Sequence, residues 1–262
     1  MTGERHSIAF LMAYPTVAMQ AMQLTRADDQ SARSTLCTLS KEKHSTHLYL
    51  AASGEGDRLR FQALADAMAG CCMVHMLLPP RALSGQTSLE TIAQEYVREI
   101  RRNPDGNIFL AGFSIGGVTA LETARQLERM GTAPRRLILL DTVYPRWPLQ
   151  SHWLFKMLQW LSGRLLLNRI TLNDRKLQAM LTDPGIIAQL AGLNRHRVRP
   201  FKGEVLLIMT DRLRLFGCWF YAGWFRLLGD RLKTAHVPGL HGAMFQARNL
   251  PALSSIIRRA LQ

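Results

Sequence analysis

The residues best suited to do chemistry in this chain are a serine, two aspartates and a histidine. Ser114 lies in Gly112-Phe113-Ser114-Ile115-Gly116, a G-x-S-x-G pattern with a further glycine, Gly117, behind it. A serine hydroxyl becomes a useful nucleophile only beside a base, and that base needs a carboxylate to orient it. Of eight histidines, His241 sits late in the chain, in the loop-like stretch HVPGLHGAMF. Two aspartates compete as its partner. Asp141 follows the apolar run Leu137–Leu140, and Asp211 follows Val205–Thr210. Position along the chain does not separate them. His236 falls inside an expected strand, and His152 and His196 fall in an insertion. The chemistry defined by these residue types is acyl transfer through a serine ester. Its tetrahedral oxyanion needs backbone donors. The Ile115 N–H, next after the serine, is one. The loop AASGEGD supplies the other, with Ser53 the first choice and Ala52 and Gly54 beside it.

These groups meet only if the right elements carry them. Ile108–Ala111 is a short, continuous apolar run, read as a buried strand. A helix from the glycine pair to Met130, closed by Gly131, follows it. Leu137–Leu140 is the next buried strand, which makes a βαβ unit with a right-handed crossover. Strict turn geometry explains the glycines, because the step from strand to helix is tight and bulkier neighbours would clash. The bland alternative is a glycine-rich turn with an incidental serine. Further strands are expected at 35–39, 47–51, 71–77, 205–210 and 233–237. Helices are expected at 58–69, with Asp57 as cap and Leu59, Ala63, Leu64 and Met68 inward, from the Thr87/Glu90 capping box to Arg101, and at 250–261. Buried strands alternating with amphipathic helices predict an α/β architecture: a mostly parallel sheet with helices on both faces. Residues 145–200, with Trp147, Trp153 and Trp160, break the rhythm and read as a helical lid insertion. Residues 7–24 read as two short helices around Pro15, and 25–34 as a linker. The division is therefore an N-terminal helical segment, 1–34, and one main domain, 35–262.

Composition narrows the class. The chain's 262 residues allow a substantial core, and its 47% hydrophobic content argues against disorder. No apolar run reaches the eighteen or so residues of a membrane span, so stable membrane insertion is not expected. The N-terminus lacks a small-residue cleavage site after its apolar stretch, so a secretory signal is not expected. Cys37, Cys71, Cys72 and Cys218 have no metal-type spacing and read as reduced thiols, which points to a cytoplasmic protein without a metal. The net charge of +14 suggests an anionic partner, or simply an arginine-rich solvated surface. No zinc-finger, helix-turn-helix or RNA-recognition signature accompanies it, so nucleic acid is not expected.

Three of these stretches carry a family resemblance. GFSIGGVTALETARQLERMG followed by LILLDTVYP, with VPGLHGAMF later, resembles the thioesterase domains of non-ribosomal peptide and polyketide synthases, which have the α/β-hydrolase fold. The likeness covers roughly 35–262, and the distance of 27 residues from Ser114 to Asp141 suits that family. It implies the triad Ser114, Asp141 and His241, because the family places its acid after the strand that follows the serine. It implies an acyl, polyketide or peptidyl substrate held on the phosphopantetheine arm of an acyl- or peptidyl-carrier protein, no cofactor of its own, and release by hydrolysis or cyclisation. The segment FLMAYPTVAMQAMQL resembles the end of a carrier domain. Two departures stand out. AASGEG replaces the family's His-Pro-Gly-Gly-like loop, and Phe113 replaces the usual Trp, Tyr or His, which predicts a more apolar entrance. The same triad would serve a carboxylesterase or lipase, and a catalytically idle carrier-binding module is the reading from another class.

Overall fold

The computed structural model describes residues 16, 35–54, 57–80, 87–102, 106–145, 184–211, 217–239 and 241–262. The two N-terminal helices, the linker and the three insertion tryptophans expected from the sequence lie outside the described residues.

Among the described residues seven strands form one sheet. They are β1 (Leu36–Thr38), β2 (Thr46–Ala51), β3 (Met73–Leu77), β4 (Asn107–Phe113), β5 (Arg136–Leu140), β6 (Glu204–Thr210) and β7 (Leu232–Val237). Their spatial order is β1-β3-β2-β4-β5-β6-β7. β1 runs antiparallel to β3, and the other pairings are parallel. Among the described residues six α-helices accompany them: α1 (Arg58–Ala67), α2 (Leu89–Arg101), α3 (Gly116–Arg129), α4 (Pro184–Arg195), α5 (Gly217–Leu228) and α6 (Leu250–Ala260).

The sheet is covered on both sides, which is why its central strands read as unbroken apolar runs. Leu48, Leu50, Ala111, Phe113, Ile138, Leu140, Leu206 and Ile208 point to one face, under Phe61 and Leu64 of α1 and Leu253 and Ile257 of α6. Tyr49, Ala51, Leu110, Leu137, Leu139, Val205 and Leu207 point to the other, under α2, α3 and α5. The alternation of odd and even residues between two cores is the period-two geometry of a strand.

Several local expectations change. Ser88, not Thr87, caps α2, accepting the Thr91 N–H at 3.1 Å. Glu90 does not complete a capping box; its carboxylate takes His196 Nδ1 at 2.6 Å. Asp57 precedes α1 without a side-chain cap, because its carboxylate serves Ser53 and Arg60 instead. On α1, Leu64 and Met68 are inward as expected, while Leu59 is 51% exposed and Phe61 takes its place in the core. β4 runs two residues beyond Ala111, because Gly112 and Phe113 still pair with Leu139 and Leu140.

The start of α3 sits directly on the end of β2. A Cβ at Gly116 would lie 2.3 Å from the Ala51 carbonyl oxygen, and one at Gly112 would lie 2.4 Å from the Gly116 carbonyl oxygen. Both neighbours are backbone and cannot swing aside. Gly116→Ala should therefore cost about 1–3 kcal/mol of stability through overpacking. Urea denaturation checks this; an unchanged midpoint would show that the close approach is not required.

Candidate active site

Two strands end in the same unusual way. Ser114, after β4, has φ 55°, and Asp141, after β5, has φ 48°. Among the described residues they are the two non-glycine residues in the left-handed region, where a side chain costs energy and neighbours must hold it. The holding bonds extend the parallel ladder: Ser114 N–H donates to the Leu140 carbonyl at 3.0 Å, and Asp141 N–H to the Ile208 carbonyl at 2.8 Å. The positive φ turns Ser114 away from the strand's pleat and starts α3 two residues later.

Asp141 is 1% exposed. Its carboxylate accepts four hydrogen bonds. Thr210 gives its N–H at 3.2 Å and its hydroxyl at 3.0 Å, Tyr221 gives its hydroxyl through a short bond, and His241 Nδ1 lies 2.5 Å away. Burial pushes the carboxyl pKa up. The bonds from His241, Tyr221 and Thr210, with the histidine's charge, outweigh that and hold it below the ordinary aspartate value. An ionised acceptor at Nδ1 places that ring proton between the two groups and leaves Nε2 as the basic nitrogen.

Asp211 is engaged elsewhere. Its carboxylate takes His236 Nε2 at 2.9 Å and the Gly239 N–H at 2.9 Å. It therefore fastens the loop on which His241 sits and does not touch His241's ring. His196 is on α4's end with Glu90, and His152 lies outside the described residues.

Phe113 does not line an entrance. It is 3% exposed and forms a platform under the imidazole, with ring centroids 4.6 Å apart and planes 22° from parallel. Phe245 meets it edge-on at 5.1 Å, and the Arg60 guanidinium lies 5.6 Å from its centroid. Ser114 is thus one residue from the ring that supports His241. Serine and histidine are not hydrogen-bonded to one another in this structure, a common state for such a pair without substrate.

The loop after β2 corrects one expectation. Ser53 N–H cannot serve an oxyanion, because buried Asp57 accepts it at 2.8 Å. The Ser53 hydroxyl donates to the Phe113 carbonyl at 2.9 Å, tying this loop to the serine turn. The Ala52 N–H is taken by the Leu77 carbonyl at 2.9 Å. Of the three loop N–H groups, Gly54's alone has no acceptor among the described residues, and the Ile115 N–H is likewise open.

Tyr221 and Thr210 were not legible as site residues in the sequence, and Phe113 was legible as part of the serine turn but not as the support of His241. Thr210 carries a signal in retrospect, as the last residue of the strand beside Asp141. Tyr221 lies on a helix whose register the sequence does not set. Among the described residues no group of three His, Cys, Asp or Glu is placed to hold a metal, and no helix is long and apolar enough to cross a membrane.

A mostly parallel, doubly covered sheet with a strained serine turn after β4 defines the α/β-hydrolase fold class. The family model for thioesterase domains matches residues 46–261, and the chain belongs to that family. It is 33% identical over 131 residues to the non-reducing polyketide synthase terA of Aspergillus terreus, covering 49% of this chain and 6% of that one. It is 33% identical over 117 residues to the bikaverin polyketide synthase of Gibberella fujikuroi, covering 43% of this chain and 6% of that protein. The chain thus spans only a small fraction of these relatives' length. Among solved structures, the NocB thioesterase domain in covalent complex with a fluorophosphonate nocardicin G analogue superposes with a TM-score of 0.59 at 26% identity, over 87% of this chain and 99% of that one. A holo four-domain nonribosomal peptide synthetase bound to AMP and glycine gives a TM-score of 0.69 at 21% identity, over 98% of this chain and 22% of that one. Membership of the thioesterase family makes this domain a hydrolase.

The depressed Asp141 carboxyl has a stability signature. A carboxyl whose pKa is lower in the folded state contributes stability above its unfolded pKa, about 3.9, and loses it as pH falls through the folded value. The urea midpoint of Asp141→Asn should lie below that of the native chain at pH 6, and the gap should narrow as pH falls below about 4. A gap of equal size at pH 3 and pH 6 would show that the carboxyl is not depressed.

Proposed function

We propose that this domain releases an acyl, polyketide or peptidyl chain from a carrier-bound phosphopantetheine thioester through an acyl-enzyme on Ser114. The observation that carries the reading is the His241–Asp141 pair at 2.5 Å, set beside the left-handed Ser114 turn by the Phe113 platform. His241 Nε2 takes the hydroxyl proton as Ser114 Oγ attacks the thioester carbon. Asp141 holds the imidazole and stabilises its charged form. The Ile115 and Gly54 N–H groups receive the oxyanion. Collapse breaks the C–S bond, and the proton passes from His241 to the departing thiol. Water, or a nucleophile within the acyl chain, gives a proton to His241 and attacks the ester; the C–O bond to Ser114 breaks, the proton returns to Ser114 Oγ, and the acyl chain leaves as an acid or a ring.

Likeness to release regions of polyketide synthases and to nonribosomal thioesterase domains supports a carrier-bound thioester over an oxygen ester. The net charge of +14 suits an acidic carrier partner, by steering its approach.

A fluorophosphonate should label Ser114 in the folded protein and leave Ser114→Ala unlabelled, as read by intact-mass spectrometry. Acyl-pantetheine should turn over faster than a p-nitrophenyl ester of the same chain; the reverse order would move the reading to a carboxylesterase. Asp141→Asn should lower kcat by about 10³–10⁴, whereas Asp211→Asn should lower it by less than about tenfold, since Asp211 bonds β7 and the loop after it and not the His241 ring. Loss confined to Asp211→Asn would overturn the acid assignment.

A further inference from the structure

Gln189, on α4 within the 145–200 insertion, is fully buried, although an amide gains nothing from burial unless all its groups are bonded. Here they are. Nε2 donates to the Ser53 carbonyl at 2.7 Å and to the Ala52 carbonyl at 3.2 Å. Oε1 accepts the Thr119 hydroxyl of α3 at 2.8 Å. Two carbonyl oxygens can only accept, so the amide cannot be turned the other way round.

The direction of these bonds has a consequence for the loop. In a trans peptide the N–H points opposite to the preceding C=O. Gln189 draws the Ser53 carbonyl toward α4, so the Gly54 N–H, the open donor of this loop, is aimed away from α4. The other bonds on the loop are consistent with a fixed orientation: Asp57 grips the Ser53 N–H, and the Ser53 hydroxyl grips the Phe113 carbonyl. Without Gln189, two buried carbonyls would lose their donor, and the 53–54 peptide could rotate to find another.

We infer that Gln189 is a positioning residue for the oxyanion donors, joining the insertion to the reaction through the Ala52 and Ser53 carbonyls. This rests on the reading of Ser114 as nucleophile. It predicts a defect in the step that builds tetrahedral charge and none in ground-state binding.

The test measures inactivation of the full chain by a fluorophosphonate, separating the reversible constant KI from the rate kinact, alongside thermal melting. Gln189→Leu should lower kinact by about 10–100-fold, less than outright loss of an oxyanion donor, with KI within about twofold. Thr119→Val, which removes only the hydroxyl holding Oε1, should lower kinact by about three- to tenfold and keeps the question decidable if Gln189→Leu does not fold. Wild-type kinact in either folded variant, or a change confined to KI, would overturn the role of Gln189. Absence of labelling in the native chain would instead overturn the nucleophile assignment, and this inference with it. Labelling of the native chain without thioester turnover would overturn the thioesterase reading alone, and the kinact ratio would still decide on Gln189.

Discussion

The geometry of this domain hangs on one backbone constraint: two adjacent parallel strands end in residues with left-handed φ. A left-handed aspartate is costly in isolation. It persists after β5 because its N–H continues the ladder to Ile208 while its carboxylate is bonded by Thr210, Tyr221 and His241. Those bonds come from β6, α5 and the loop after β7. The strain at Asp141 is thus met by contacts that exist only when the C-terminal half of the sheet is in place. Ser114 depends on β5 in turn, through the Leu140 carbonyl.

Packing around the serine turn leaves little freedom. Glycines at 112 and 116 bring backbone against backbone, and a Cβ at Gly117 would fall 2.0 Å from the Thr142 hydroxyl oxygen. Thr142 is itself held by the Trp224 ring N–H at 2.7 Å. The serine turn, the aspartate turn and α5 therefore share one rigid block. On the proposed reading, such a block keeps the reacting groups in place without reorganisation, which is where electrostatic catalysis gains most.

Much of this was legible in the sequence, and the failures have physical causes. Buried parallel strands announce themselves as apolar runs, so β2 through β7 could be read from it within one or two residues. Asp141 and Asp211 could not be separated by position, since both follow strands on the same sheet edge; the deciding fact is the loop trajectory that brings His241 to one and His236 to the other. Ser53 was an attractive donor because sequence shows which backbone groups exist and not which are already bonded. Its N–H is consumed by Asp57, four residues on, a local contact invisible to a motif. Thr87 and Glu90 matched a capping box in type and spacing. Glu90 is drawn away by His196, 106 residues distant, and Ser88 takes over the cap. Partners that no short motif records, local at Ser53 and distant at Glu90 and Asp141, decided each case.

The parallel pairing of the strands also orders events as the chain is made. Parallel neighbours need a crossover between them, and their contacts wait for distant segments to close. Ser114 and its turn belong to the middle of the chain, whereas the loop with His241 follows the last strand. A growing chain therefore carries Ser114 long before His241, and the Asp141–His241 bond spans 100 residues. On the proposed reading, the Ser114 hydroxyl gains its base only when β7 docks against β6 and brings the His241 loop with it. Under that reading, reactivity arrives together with completion of the sheet, and an incomplete domain holds its serine without a partner base.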